Sequence, residues 1–378
     1  MKLMKYEKMP HYTEIYSYPV PKTVSKEKMI SVNKQMHEIE KGIREKAKRE
    51  SCCICNRPCT SFCHSHSIPR FVLKNIAEQS KVSAPRQMDN LEPQKSTGIE
   101  SAGVFFNICN ECDSKYFQAY EDEAVLSSNV SNKMLIAIAL KNFLKMIYER
   151  SIEVEEEKVC SALVGTPEIV ISEGLSPAEY AVKSIDREMK YALQALMSNG
   201  LEDYHLCFRK KLDYVVPYAA QYPIAMLMDL YGNVINNFYT GSSAYKLEYL
   251  HVAIFPLSNS SIILIFAKNG EKRHRRFIRQ LQKLDELDQL SVINYLTFTG
   301  ADNVYINKTV YATKMTQNPI FMKACRMTYS IKSSIPNPPD ALKVAMREHN
   351  FKKRSELPNL LAPQYAINKA QEKGEEKK

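Results

Sequence analysis

Two cysteine pairs constrain this chain more than any other feature. Cys52-Cys53-Ile54-Cys55 holds one Cys-x-x-Cys spacing, and Cys109-Asn110-Glu111-Cys112 holds a second. The tight turn inside such a pair lets both thiolates reach one ion. Two pairs present four thiolates tetrahedrally, the usual structural site for Zn²⁺. Seven of the ten cysteines fall between Cys52 and Cys112. Clustering of that kind points to metal before disulfides where thiols stay reduced. The first residues, Met1-Lys2-Leu3-Met4-Lys5, lack the apolar core of a secretion signal. No apolar run approaches the roughly 18 residues of a membrane span. A cytoplasmic protein with no membrane partner is therefore expected. The expected ligands of the structural zinc are Cys52, Cys55, Cys109 and Cys112. Cys53, Cys59, Cys63 and His64 lie close enough to replace one of them. The choice of Cys52 over Cys53 rests on the two-residue gap alone, and Cys59 and Cys63 also read as small buried residues.

At 378 residues and 44% apolar content the chain can bury a sizeable core and fill two or three domains. Its net charge of +10 is a moderate basic bias that suits an anionic partner. Residues 1–49 start irregular, then form a charged helix over about 25–49 with a thin apolar stripe of Ile30, Val32, Met36, Ile39 and Ile43. Residues 50–125 contain the cysteine pairs. A polar insert over 76–101, with Pro85 and Pro93, reads as a loop of little structure.

Residues 126–200 are helical. Ser131-Asn132 caps an apolar pattern running to about Arg150. Ser176-Pro177-Ala178-Glu179 is a capping box with proline at the first helical position, and Asn199-Gly200 is its stop. Residues 201–335 are strand-rich, with antiparallel strands expected at 205–214, 224–230, 234–239, 249–255 and 261–267, then helices at 271–284 and 286–298. Residues 336–378, with several prolines and dense mixed charge, read as a mobile tail. The expected class is α+β.

Between the cysteine pairs lies Ser65-His66-Ser67-Ile68-Pro69-Arg70-Phe71, and the second pair continues Asp113-Ser114-Lys115-Tyr116-Phe117-Gln118-Ala119-Tyr120-Glu121. These residues resemble HNH-type nucleases, which place a His-x-[Ile/Val]-Pro element after their first cysteine pair. They are more similar still to a bacterial branch that reads Ser-His-Ile-Ile-Pro-[Lys/Arg]-Phe and follows its second pair with an acid, an aromatic and a glutamate. The resemblance covers about residues 50–125. It implies a zinc-stapled treble-clef (ββα) module and a metal-dependent endonuclease, with a role in bacterial defence against phage or plasmids.

By the same resemblance, His66 is the general base that activates water against a phosphodiester. Asp113 holds a catalytic Mg²⁺ or Mn²⁺, and nucleic acid, DNA before RNA, is the partner. Two positions depart from the family: Ser65 stands where an acid often precedes the histidine, and Val104 stands where the middle Asn usually lies. His66 also reads as a hydrogen bond closing the knuckle and Asp113 as a helix cap. The module is then a catalytically inactive zinc unit that binds nucleic acid or a partner protein.

Arg70 and a second basic group are the candidate nucleic-acid contacts. Lys272, Arg276, Arg279 and Lys283 fall at i, i+4, i+7 and i+11, opposite Phe277, Ile278, Leu281 and Leu284. Such a stripe can track phosphates, and it reads equally as the solvated face of an amphipathic helix. The segments around His251–Ser258 and Ala301–Ile306 are faintly similar to an uncharacterised bacterial domain family, which carries no chemistry over.

Overall fold

The computed structural model describes residues 26–89, 92–164, 175–198, 203–238, 244–325 and 338–367. In chain order, α1 (Lys26–Ala47) precedes the first cysteine pair. Then follow β1 (Ser65–His66), α2 (Arg70–Ile76), β2 (Lys81–Asp89), β3 (Glu92–Gly98), β4 (Val104–Phe105) and α3 (Asn110–Phe117). Short α4 (Glu123–Ser128) leads to the long α5 (Asn132–Val164) and to α6 (Pro177–Met197). The strands β5 (Tyr204–Leu212), β6 (Tyr218–Ile224), β7 (Leu250–Pro256) and β8 (Ser261–Lys268) come next, then α7 (Arg275–Gln282), α8 (Glu286–Gly300) and β9 (Val304–Ile306). The chain continues through α9 (Lys308–Val310), α10 (Pro319–Cys325) and α11 (Pro338–Glu348).

Seven strands form one antiparallel sheet in the order β3-β2-β9-β6-β7-β8-β5, while β1 and β4 pair separately. The middle of the sheet is apolar on both faces, so β7 and β8 read as unbroken hydrophobic runs. Successive side chains point to opposite faces. Ala253, Phe255, Ile262, Leu264 and Phe266 pack into one cluster with α5, α6 and the cysteine segment. Val252, Ile254, Ile263 and Ile265 pack into a second cluster with α7, α8 and α10. The cysteine segment therefore has no separate core. Ile68, Val72, Leu73, Phe105, Ile108 and Phe117 share theirs with the helices and the sheet.

The caps follow the sequence. Ser176 accepts from the Glu179 backbone N–H while Glu179 accepts from the Ser176 N–H, which closes the expected capping box. Asp285 begins α8 by accepting from the Asp288 N–H.

Several expectations need correcting. The insert at 76–101 is not a loop. Residues 81–89 and 92–98 pair as the β2–β3 hairpin, which joins the sheet where Ser83 pairs with Ile306. Burial of Val82 and Ala84 anchors it, and the register slips after Ala84, next to Pro85. A proline is tolerated at such an irregularity, and an outermost strand needs no apolar pattern. The strand expected at 224–230 lies earlier, at β6. Pro223 fits there because β9 pairs only with Tyr218–Ala220, leaving that side of Pro223 unpaired. Of the strand expected at 234–239, residues 234–238 hold only a bridge between Met228 and Val234, and residue 239 lies outside the described residues.

The helix expected to end near Arg150 runs on to Val164. In α1 the apolar stripe is only partly covered: Ile43 is buried and Ile39 half-buried, whereas Ile30 and Met36 are exposed. Residues 338–367, expected in a mobile tail, form α11 and two short 3-10 turns. Their Phe351, Leu357, Leu360 and Leu361 complete the second cluster. Residues 1–25, where the chain was expected to be irregular, and 368–378 lie outside the described residues.

Candidate zinc centre and histidine site

The first cysteine pair sits on a tight turn. Asn56, at φ 56°, donates its N–H to the Cys52 carbonyl at 2.9 Å, and the Cys52 N–H reaches the Arg57 carbonyl at 3.0 Å. Two backbone bonds dock the turn and the segment after it on the residues just before the second pair: Cys53 N–H to the Asn107 carbonyl at 2.9 Å, and Cys63 N–H to the Ile108 carbonyl at 2.8 Å. Cys109 is the N-cap residue of α3, so Cys112 follows within the first turn of that helix. The result is a cluster in which the sulfurs of Cys52, Cys55, Cys109 and Cys112 all lie within 4.8 Å of one another.

Cys52 Sγ accepts backbone N–H groups from Ile54 and Cys109, each at 3.4 Å. The Arg57 guanidinium donates to Cys55 Sγ at 3.4 Å and pairs with Glu111 at 2.5 Å, bridging the two cysteine pairs. These donors favour thiolate. The Arg57 contact draws the Cys55 thiol down to about 6, whereas burial pushes Cys52 and Cys112 up. Four sulfurs with N–H···S support and a cationic neighbour are the donor set that Zn²⁺ takes.

The alternative ligands are used otherwise. Cys53 is half-buried against the core, which pushes its thiol up to about 11. Cys59 Sγ donates to the Arg57 carbonyl at 3.5 Å. His64 stands edge-on to Phe106, with ring centroids 4.9 Å apart. Cys63 lies beside Asp113, and burial followed by that carboxylate pushes its thiol up to about 12.

His66 is half-buried at the end of β1 and bonds through Nε2 to the Ile99 carbonyl at 3.0 Å. A carbonyl only accepts, so Nε2 carries the proton and Nδ1 carries the lone pair. Nδ1 has no hydrogen-bond partner among the described residues. Burial lowers the pKa of the ring below its ordinary value, against a smaller opposing effect of the Ile99 bond, which favours the neutral imidazole. Arg70, at the start of α2, pairs with Glu100 next to Ile99.

Asp113 does not join His66. Neighbouring strand residues alternate in direction: Ser65 turns to Asp113, donating to Oδ1 at 2.5 Å, and His66 turns to Ile99. Nor does the Asp113 carboxylate cap α3. It faces the ammonium of Lys141 on α5, at 3.6 Å, and that ammonium also bonds Glu121 at 2.5 Å. The Lys141 side chain is 1% exposed and lies over the Phe117 ring, 4.3 Å from its centroid. A protein cation thus occupies the place between two carboxylates that a hard divalent ion would need. The residues present do not fit the Mg²⁺ or Mn²⁺ expected at Asp113.

Sequence reasoning missed Lys141 and the role of Ser65. Lys141 did leave a signal, because it interrupts the apolar pattern of Ile138, Leu140, Phe143 and Leu144 on a helix buried on several sides. A lysine there requires a carboxylate partner.

The basic stripe is not one helical face. The helix spans Arg275–Gln282, so Lys272 precedes it and Lys283 is its C-cap residue. Lys272, Arg276, Arg279 and Lys283 are all exposed, above a buried Phe277, Ile278 and Leu281. Arg276 is tied by Nε to the buried Asp229 carboxylate at 2.8 Å.

Buried polar groups connect the histidine strand to the central sheet. Ser67 Oγ donates to Asn303 Oδ1 at 2.9 Å, and Asn303 Nδ2 donates to the Gln221 carbonyl at 2.7 Å. Gly103 at φ 71° supports this contact, since a Cβ there would stand 2.5 Å from Ser67 Oγ. No helix among the described residues is long and apolar enough to cross a membrane. No protein-family model, curated protein or solved structure matches the chain.

Proposed function

We propose that this chain is a zinc-stapled HNH-type hydrolase that cleaves phosphodiester bonds in nucleic acid, with His66 as general base. The observation that carries the reading is the 3.0 Å contact of His66 Nε2 with the Ile99 carbonyl, which assigns the ring proton to Nε2. Its Nε2–H is committed to the Ile99 carbonyl, its Nδ1 has no hydrogen-bond partner among the described residues, and burial favours the neutral ring. Such a group can take a proton from water as the water adds to phosphorus and one P–O bond breaks. The chain order supports a treble-clef (ββα) assignment. A cysteine turn is followed by the paired strands β1 and β4 and by a helix whose first turn supplies the other two zinc ligands.

Zinc in this reading is structural: it holds β1 and α3 in place and takes no part in the reaction. Lys141 fixes Asp113 and Ser65 behind the histidine strand. Arg70, Lys272, Arg276, Arg279 and Lys283 are the proposed phosphate contacts, with DNA before RNA as substrate and defence against phage or plasmids as the setting. The protein is proposed to be cytoplasmic, where the thiolates stay reduced.

The neutralised Asp113 favours a second reading, a zinc module that binds nucleic acid or a partner protein without cutting. Incubation with supercoiled plasmid and with single-stranded RNA, with and without added Mg²⁺, separates the two. Cleavage products formed without added Mg²⁺ support the hydrolase, and cleavage that requires Mg²⁺ contradicts the metal-free reading of Asp113. Retention of nucleic acid without cleavage supports the binding module.

A further inference from the structure

Besides the cysteine cluster, one other group of metal-binding side chains converges among the described residues: Glu248, Glu271 and His274. Glu248 stands just before β7, and the other two lie on the turn from β8 into α7. One ligand atom from each falls within 4.8 Å of the others. The imidazole is only 3% exposed, and among the described residues neither ring nitrogen makes a hydrogen bond. One nitrogen faces the Glu248 carbonyl without reaching hydrogen-bond geometry. A buried imidazole without a partner is costly. Metal-ligating histidines characteristically turn their second nitrogen to a backbone carbonyl.

The carboxylates keep coordination capacity. Glu248 accepts the Arg273 N–H at 2.8 Å, with the Arg273 Nε 3.5 Å away, and Glu271 accepts the Tyr249 N–H at 3.2 Å. The two nearby cations are held mainly by other groups. Lys268 bonds Glu188 at 2.5 Å and stands 3.7 Å from Glu271. The Arg273 guanidinium donates to Asn236 and to Tyr245, each at 2.9 Å.

We infer that Glu248, Glu271 and His274 form a second metal site, one that takes a divalent first-row transition ion such as Mn²⁺ or Zn²⁺. Two carboxylates with an imidazole suit these ions better than the all-oxygen shells of Mg²⁺ and Ca²⁺. Three protein ligands leave a coordination position for water. Glu248 is 17% exposed, which gives the ion its entry. The bound ion ties the segment before β7 to the start of α7, the helix that carries Arg276 and Arg279. The inference is independent of any hydrolase activity.

Electron paramagnetic resonance titration of Mn²⁺ into the full-length, zinc-loaded protein tests it. The expected result is one Mn²⁺ bound per chain in wild type and in His66→Ala. Affinity should fall at least about tenfold in His274→Ala and Glu271→Gln, with the cysteine-bound zinc retained as the mark of an intact fold. If His274→Ala loses that zinc, Glu248→Gln, which keeps the size of the most exposed ligand, carries the test. No Mn²⁺ binding by wild type, equal binding by the ligand variants, or binding lost in His66→Ala instead would overturn the site.

Discussion

The ammonium of Lys141 lies 3.6 Å from Asp113 Oδ1 in a place where only 1% of the lysine side chain meets solvent. The pair belongs to the stability of the fold. Truncating one member of a buried ion pair leaves the other uncompensated and costs about 3–5 kcal/mol. Asp113 and Glu121 keep 18% and 34% exposure, so Lys141→Met should lower the unfolding free energy towards the lower end of that range, about 3 kcal/mol, in urea titrations. A loss below about 1 kcal/mol, the level of a surface pair, would mean that Asp113 and Glu121 do not depend on this lysine.

Asn303 couples the central sheet to the strand that bears His66. Asn303→Ala leaves the buried Ser67 hydroxyl and the Gln221 carbonyl without their partner, a cost of about 1–3 kcal/mol. Thermal denaturation should show the loss, and cleavage should fall with it as β1 shifts. Unchanged stability and activity would show that the contact positions nothing.

Zinc should be present at no less than one ion per purified chain, and Cys109→Ser should lose it. Zinc needs all four sulfurs as thiolates, so binding releases protons and weakens as the pH falls. A colorimetric chelator should capture the ion faster at pH 5.5 than at pH 7.5. Metal analysis well below one zinc per chain would refute the centre.

His251 makes acid destabilising. Burial first, then the Lys268 charge, depresses its pKa from 6.5 to about 3, and it accepts a hydrogen bond from Asn142 while stacked on Phe266. The unfolded chain takes up a proton below about pH 6.5 and the folded chain does not. Stability contributed above pH 6.5 is therefore lost as pH falls towards 3, on the order of a few kcal/mol. His251→Gln should be less stable at neutral pH yet lose less between pH 6.5 and 4, as read from melting temperatures. Parallel slopes for both proteins would contradict the assignment.

What the sequence revealed follows from how local each signal is. The four-cysteine cluster, the capping box at Ser176 and the apolar runs of β7 and β8 are written in adjacent residues. The β2–β3 hairpin was not legible. Its outer strand, Glu92–Gly98, is polar because an edge strand buries little, and its place in the sheet depends on Ser83 meeting Ile306 far along the chain. Likewise Asp113 read as a metal ligand because its partners Ser65 and Lys141 come from other elements. A stretch with several prolines and many charges read as a tail, although Leu360 and Leu361 within it are fully buried.

Comparing initial rates of phosphodiester cleavage by wild type and His66→Ala, both zinc-loaded and without added Mg²⁺, tests the central claim most directly. Loss of a general base predicts a rate lower by about 10²–10⁴-fold, with zinc content unchanged. Equal cleavage by the two proteins, or none by wild type, would contradict His66 as the base of a hydrolase.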